Sequence, residues 1–121
     1  MLLDLHHTQR LIIEAELIDS PTERYLAAHR CARQVGVCLV AAGRRDEACG
    51  RDLWALVASA APECVEWAGF FGAVERRCAS AHAAPVSPRE ADDLVREAQR
   101  FFVDAATLLR RRAAADQRAA S

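Results

Sequence analysis

The sequence predicts an all-α protein, an up-and-down bundle of four long helices plus one short helix in a single domain spanning residues 1–121. Apolar residues recur with the helical period along almost the whole chain, and no short window alternates like a half-buried strand. The connections between the predicted helices are brief, and two of them contain the capping sequence Ser-Pro-x-Glu. Because short connections make consecutive helices antiparallel neighbours, these observations together predict a bundle.

The first helix is predicted over Asp4–Asp19, and the second begins at the clearest local signal in the chain. Ser20 can cap the second helix, Pro21 suits its first position, and Glu23 can reach back to the Ser20 amide. We expect this helix to end near Gly43, where a glycine can adopt the left-handed conformation that often closes a helix.

The middle of the chain predicts a loop, a short third helix and then the start of a fourth helix. Arg44–Arg51 is charged and contains a glycine, so it reads as a connecting loop. Asp52 can cap a short third helix that runs to about Ala60. Pro62 then marks a break, because proline fits the first turn of a helix but not its interior. The fourth helix is predicted from there to about Ala83.

The last helix has the most regular apolar pattern of all. It starts at the second capping box, Ser87-Pro88-Arg89-Glu90. The tail from Ala113, about residues 113–121, is small and polar, and we expect it to fray. The aromatic rings are expected to fill the core opposite the small residues of helix two, and they are Trp54, Trp67, Phe70, Phe71, Phe101 and Phe102.

The balance of charges excludes a general electrostatic attraction of the whole protein to nucleic acid or to anionic lipid. The formal net charge is −1, with 16 basic residues against 17 acidic ones. Any phosphate contact would therefore need a local cluster of arginines. All the basic residues are Arg, and Lys and Asn are absent, a bias typical of high-GC bacterial genomes.

The sequence also predicts a cytoplasmic protein without a membrane partner. No uncharged stretch approaches the roughly 20 residues that a membrane span requires. The N-terminus lacks the basic and then apolar segments of a secretory signal. The cysteines are odd in number and contain no Cys-x-x-Cys pair, so we expect free thiols. They are Cys31, Cys38, Cys49, Cys64 and Cys78.

No pattern in the chain predicts a metal site or a cofactor site. A di-metal carboxylate centre would need Glu-x-x-His, and that motif is absent. His6 and His7 are adjacent and diverge by about 100° on a helix, which makes them a poor chelating pair. Cys31 and Cys38 share a helix face but lie about 10 Å apart along its axis. There is no glycine-rich phosphate loop, so we expect neither a metal nor a cofactor.

Arg24 and His29 form the one candidate catalytic set. An imidazole can move a proton near neutral pH, and a guanidinium can hold a phosphate and its developing charge, so the two suffice for metal-free RNA cleavage. The same spacing recurs in Arg77 and His82, with Arg76 one residue further away. Residues five apart diverge by about 140° on a helix, so Arg24 and His29 converge only through the long arginine or across a dimer interface.

A structural role for the same two residues is the alternative. Arg24 can pair with Glu23 or Asp19 at the helix start, while His29 packs against a neighbouring helix.

A second local candidate is the run Arg110-Arg111-Arg112, which could contact phosphate. The alternative is a solvated helix end, where the helix dipole favours arginine.

Three segments carry a resemblance to a known family. They are SPTERYLAAH, LWALVASAAPECVEWAGFF and SPREADDLVREA. Over about residues 8–110 the chain resembles the small stand-alone HEPN (higher eukaryotes and prokaryotes nucleotide-binding) proteins of high-GC Gram-positive bacteria. The most specific block of the resemblance is Pro-Glu-x-x-Glu-Trp-Ala-x-Phe-Phe.

The resemblance implies a bundle of four or five helices that often dimerises. In the wider superfamily an Arg followed four to six residues later by His cleaves RNA across a dimer, and here that role would fall on Arg24 and His29. Active members usually place Asn, Asp or His after the Arg, where this chain has Tyr25, and they carry the motif on a late helix. Many members instead bind or assemble without catalysis.

The sequence therefore predicts a non-catalytic HEPN-like bundle that forms a homodimer and binds a protein or nucleic-acid partner. The alternative is a toxin-like, metal-independent endoribonuclease that uses Arg24 and His29.

Overall fold

The chain forms five α helices in a computed structural model that describes residues 2–43 and 52–120. A single 3-10 turn over Pro62–Cys64 leads into the fourth helix. The described residues contain no strand, so the predicted all-α bundle of four long helices and one short one is confirmed. The predicted loop Arg44–Arg51 lies outside the described residues. The helices are α1 Leu2–Glu16, α2 Pro21–Ala42, α3 Leu53–Ala60, α4 Val65–Cys78 and α5 Pro88–Ala120.

Each residue predicted as a helix N-cap accepts a hydrogen bond from a backbone amide. Ser20 Oγ accepts from the Glu23 N–H at 3.2 Å at the start of α2. Asp52 Oδ1 accepts from the Ala55 N–H at 2.8 Å, and Ser87 Oγ accepts from the Glu90 N–H at 3.1 Å. Such caps satisfy amides that have no partner within the helix, and they fix where α2, α3 and α5 begin.

Helix α2 lies at the centre of the bundle and packs against each of the other α helices. The core beside it is built from stacked rings. Trp54 and Phe71 lie 5.4 Å apart between ring centroids, and Phe71 and Phe101 lie 5.2 Å apart. These three rings are buried, as the sequence predicts. Phe70 differs from the prediction, because 41% of it is exposed on the outer side of α4.

Gly43 ends α2 in a way that the sequence does not predict. Its backbone is extended, with φ −83° and ψ 169°, and is not left-handed. A glycine fits this position because the chain passes close to α3. A Cβ at Gly43 would lie 2.7 Å from the Cβ of Ala60, closer than two such atoms can approach. Gly36 likewise lets Val57 and Trp54 approach α2.

Helices α1 and α4 end earlier than predicted. Helix α1 stops at Glu16 instead of Asp19, and the next residues form tight turns closed by i to i−3 hydrogen bonds. Helix α4 stops at Cys78 instead of Ala83. The chain then turns, and the guanidinium of Arg77 donates to the Ala84 carbonyl at 2.8 Å.

Helix α5 continues to Ala120, beyond Ala113, from which the sequence predicts fraying. Its last part is rich in alanine and arginine, which are strong helix formers. Arg112 also anchors it, since its Nη2 donates to the Ala60 carbonyl at 3.1 Å.

None of the helices in the described ranges combines enough length with enough uncharged apolar sequence to cross a bilayer.

The two glycines Gly43 and Gly69 should respond in opposite ways to a methyl group. Gly43→Ala forces its Cβ against Ala60 and should lower the free energy of unfolding by about 1–3 kcal/mol. Gly69→Ala is the matched control, because nothing lies within 4 Å of its added Cβ. It should raise stability by about 0.5–1 kcal/mol, since alanine is the better helix former. Urea unfolding of both variants measures the difference, and equal effects would contradict this account of Gly43.

Candidate functional site

Arg24 is fixed at the start of α2 by groups from two parts of the chain. Its Nη1 donates to the carbonyl of Ile18 at 2.7 Å and to that of Asp19 at 3.3 Å. Its Nε lies 3.1 Å from Asp92 Oδ1 on α5, close enough for an ion pair although the N–H is not aimed at the oxygen. Only 11% of the side chain is exposed. Arg24 therefore ties the α1–α2 connection to α5.

His29 lies one and a half turns further along α2 and faces the interior. Its side chain is 7% exposed, and its ring centroid lies 6.2 Å from that of Trp54. Nε2 lies 3.2 Å from Glu75 Oε1 on α4 and donates to it, because a carboxylate only accepts. Nδ1 is buried and has no hydrogen-bond partner. The two candidate catalytic residues thus have separate partners, and the structure does not bring them together within one chain.

Glu75 is the centre of the polar cluster around His29. Its Oε1 accepts from His29 Nε2, from Arg33 Nη1 and from Trp54 Nε1, the last at 3.3 Å. Arg33 comes from α2, Trp54 from α3 and Glu75 from α4, so one oxygen atom joins three helices. We call these four residues the Glu75 cluster.

The pKa values of His29 and Glu75 both lie below their ordinary values. Burial lowers the pKa of His29 below its ordinary value of 6.5, and this outweighs the opposite effect of Glu75. Partial burial by itself would raise the pKa of Glu75. The hydrogen bonds from His29, Arg33 and Trp54 together outweigh it, so the pKa lies below the ordinary value of 4.5. At neutral pH the cluster therefore holds a neutral imidazole beside a carboxylate.

The second Arg–His pair is also divided by the fold. Arg77 Nε and Nη2 donate to both oxygens of Glu90, at 2.8 and 3.0 Å, and its guanidinium lies over the ring of Tyr25. His82 is 74% exposed and lies 4.0 Å from a carboxylate oxygen of Glu23. Burial, with Cys78 and Glu90 nearby, raises the pKa of Tyr25 to about 12. Arg77 thus joins α4 to α5 through Glu90, whereas His82 lies on the surface beside Glu23.

The three arginines 110–112 do not form one patch. Arg112 Nη2 lies 3.3 Å from Glu63 Oε1 and also binds the Ala60 carbonyl, so it is part of the contact with the end of α3. Arg110 and Arg111 are exposed, and neither forms an ion pair within the described residues.

The described part of the chain contains no group of three His, Cys, Asp or Glu residues that could hold a metal ion. Cys31, Cys64 and Cys78 are not in disulfides. Burial raises the pKa of Cys31 and of Cys78 to about 11, which keeps both as thiols at neutral pH.

Sequence reasoning misses the main partners of His29. One local signal for Arg33 exists, because it lies four residues after His29 and therefore on the same side of α2. Glu75 is 46 residues away and carries no sequence signal, since only the packing of α4 on α2 brings it to the imidazole.

This all-α bundle, with its long central α2 and its aromatic core, defines a HEPN-type helical domain. Residues 15–106 match the family model described as SAV_6107-like HEPN, and the chain belongs to that family. Comparison with curated proteins and with solved structures gives no significant match.

Lowering the pH should destabilise the fold through His29. In the unfolded chain His29 binds a proton near pH 6.5, whereas in the folded chain it binds one only at a lower pH. The free energy of unfolding should therefore decrease as the pH is lowered below about 6.5. Glu75 adds to the loss below about pH 4.5, because its folded pKa is lowered. Urea unfolding at a series of pH values measures this.

His29→Gln should flatten the pH dependence between about pH 5 and 7, since glutamine keeps an N–H donor for Glu75 without titrating. His82→Gln is the control, because it changes an exposed ring, and it should keep the wild-type slope. An unchanged slope in His29→Gln would contradict the assignment.

Removing the shared acceptor should destabilise the bundle more than removing an ordinary surface carboxylate. Glu75→Ala leaves His29, Arg33 and Trp54 without their common partner and should cost about 1–3 kcal/mol. Glu66→Ala, on the same helix and without an ion pair, should change stability by less than about 0.5 kcal/mol. Thermal or urea unfolding compares the two variants, and similar losses would contradict a central role for Glu75.

Proposed function

We propose that this HEPN-family chain is a non-catalytic binding module of the cytoplasm that forms a homodimer and binds a protein partner. The single observation that supports this most is the position of His29. Its Nε2 is held by Glu75, and its Nδ1 is buried, so neither nitrogen is open to a substrate. A general base must reach the proton that it removes, either directly or through one water molecule.

The placement of Arg24 supports the same conclusion. A phosphate-binding arginine needs free N–H donors directed toward its ligand. The guanidinium of Arg24 instead donates to two backbone carbonyls and lies beside Asp92. Releasing it would break the link between the α1–α2 connection and α5.

The distribution of arginines favours a protein partner over a nucleic acid. Nucleic-acid binding needs several cations on one surface, because affinity depends on the number of phosphates neutralised. Here Arg24, Arg33, Arg77 and Arg112 are paired with carboxylates of the chain itself. The net charge of −1 adds no general attraction for a polyanion.

Exposed apolar side chains supply a surface that suits a protein. On α4, Val65 and Phe70 are 56% and 41% exposed, and Val103 on α5 is 58% exposed. Apolar residues rimmed by charges are typical of protein interaction sites.

Purified protein incubated with single-stranded RNA in EDTA should leave the RNA intact, because the imidazole and the guanidinium are both engaged. The protein should also show no RNA binding that falls with rising salt. Gel analysis of labelled RNA measures cleavage, and fluorescence anisotropy measures binding.

Cleavage that disappears in His29→Gln but persists in His82→Gln would overturn the proposal in favour of the endoribonuclease. Circular dichroism of both variants confirms that each is folded. Salt-dependent RNA binding without cleavage would overturn the choice of a protein partner and keep the non-catalytic role.

A further inference from the structure

Helix α5 carries a continuous polar stripe along its outer side. Successive members of the stripe are separated alternately by four and three residues, which keeps them on one side of the helix. Every member is exposed or half-exposed. The members are Asp93, Glu97, Arg100, Asp104, Thr107 and Arg111. We call this set the α5 stripe.

The α5 stripe borders a series of grooves between α5 and the outer side of α4. One groove of about 540 Å³ is lined by Asp93, Arg100 and Phe70. The next, of about 580 Å³, lies between Phe70 and Asp104. A third, of about 550 Å³, reaches Arg111. The backbone of α4 lies further from α5 than that of α2 does, and long side chains bridge the gap. The α5 stripe is therefore bordered by open grooves and not by a closely packed helix.

When the α5 stripe is read in the reverse direction, most of its charged residues face residues of opposite charge in the forward direction. If a second α5 runs antiparallel with the two-fold axis near Phe102, Asp93 faces Arg111 and Arg100 faces Asp104. These pairings place opposite charges together, as complementary surfaces of two partners do. A two-fold axis produces each pairing twice, so the interface contains four ion pairs.

We propose that the α5 stripe is the homodimer interface and that its occupant is α5 of a second copy of this chain. This inference rests on the proposed function, because it names the surface through which the proposed homodimer forms. Glu97 faces Thr107 at the intermediate level, where a hydroxyl can donate to a carboxylate.

The charges of the stripe are available for a second copy. Arg111 forms no ion pair within the described residues. Asp104 accepts from Trp67 through Oδ2 at 2.8 Å and keeps Oδ1 for another donor. Within the described residues, Asp93 and Arg100 form ion pairs with neighbours three residues away on the exposed surface of α5. Such exposed pairs contribute little and exchange readily for pairs across an interface.

Single charge reversals test the pairing directly. Asp93→Arg places two arginines together, and Arg111→Asp places two aspartates together, each twice per dimer. Either variant alone should weaken dimerisation about tenfold or more. An equimolar mixture of the two should restore association, because each chain then supplies the opposite charge at both positions. Light scattering with size-exclusion chromatography and sedimentation measure the dissociation constants.

Arg110→Asp is the matched control, since it makes the same charge change one residue outside the stripe. It should not weaken the dimer. Circular dichroism and urea unfolding establish that all variants fold. The wild-type dimer should also weaken as the salt concentration is raised from 0.05 to 0.5 M, because salt screens the ion pairs. Over this range the Debye length falls from about 14 to about 4 Å.

The outcomes separate this inference from the proposed function. A wild-type dimer that neither reversal weakens, or a mixture that fails to restore association, overturns the α5 stripe as the interface and leaves the homodimer standing. A wild-type protein that is monomeric at high micromolar concentration overturns both the interface and the proposed homodimer. The RNA assay above reports on catalysis independently of either result.

Discussion

A single carboxylate oxygen links three of the helices of this bundle. Glu75 Oε1 accepts from His29, Arg33 and Trp54, and so joins α2, α3 and α4 around one point. A buried polar group that lacks a hydrogen-bond partner lowers the stability of the fold by about 1–3 kcal/mol. The imidazole in the core is therefore accommodated only while the carboxylate on α4 is in place. His29 is neutral because it is buried, since Glu75 by itself would raise the pKa of the imidazole.

The arginine and the histidine of the candidate catalytic motif are each engaged by other residues of the chain. Arg24 and His29 form the candidate catalytic pair of this HEPN-family chain. Here the two side chains leave α2 in different directions and reach different partners, Asp92 on α5 and Glu75 on α4. Sequence spacing on a helix fixes direction as well as distance, and five residues separate the directions by about 140°. The spacing of the motif therefore does not bring the two side chains to one point within the chain.

The sequence predicts the helices and their caps because these depend on local chemistry. Ser20, Asp52 and Ser87 each act within three residues of themselves, and all three caps are present. The errors arise where distant residues decide. Gly43 is needed for the approach of Ala60 and not for a left-handed turn, and α4 ends early where Arg77 binds the Ala84 carbonyl. The Glu75 cluster could not be predicted, since three of its contacts join separate helices.

The Glu75 cluster and the α5 stripe can be altered independently, because α4 presents different sides to them. Glu75 contacts α2 and α3, whereas Phe70 lines the groove beside α5. Substitutions in sites that share no partner usually have additive effects on stability. A change at Glu75 should therefore alter the unfolding free energy and its pH dependence, while a reversal at Asp93 or Arg111 should alter association. The interior polar groups stabilise the bundle, and the outer charges remain available to select what it binds.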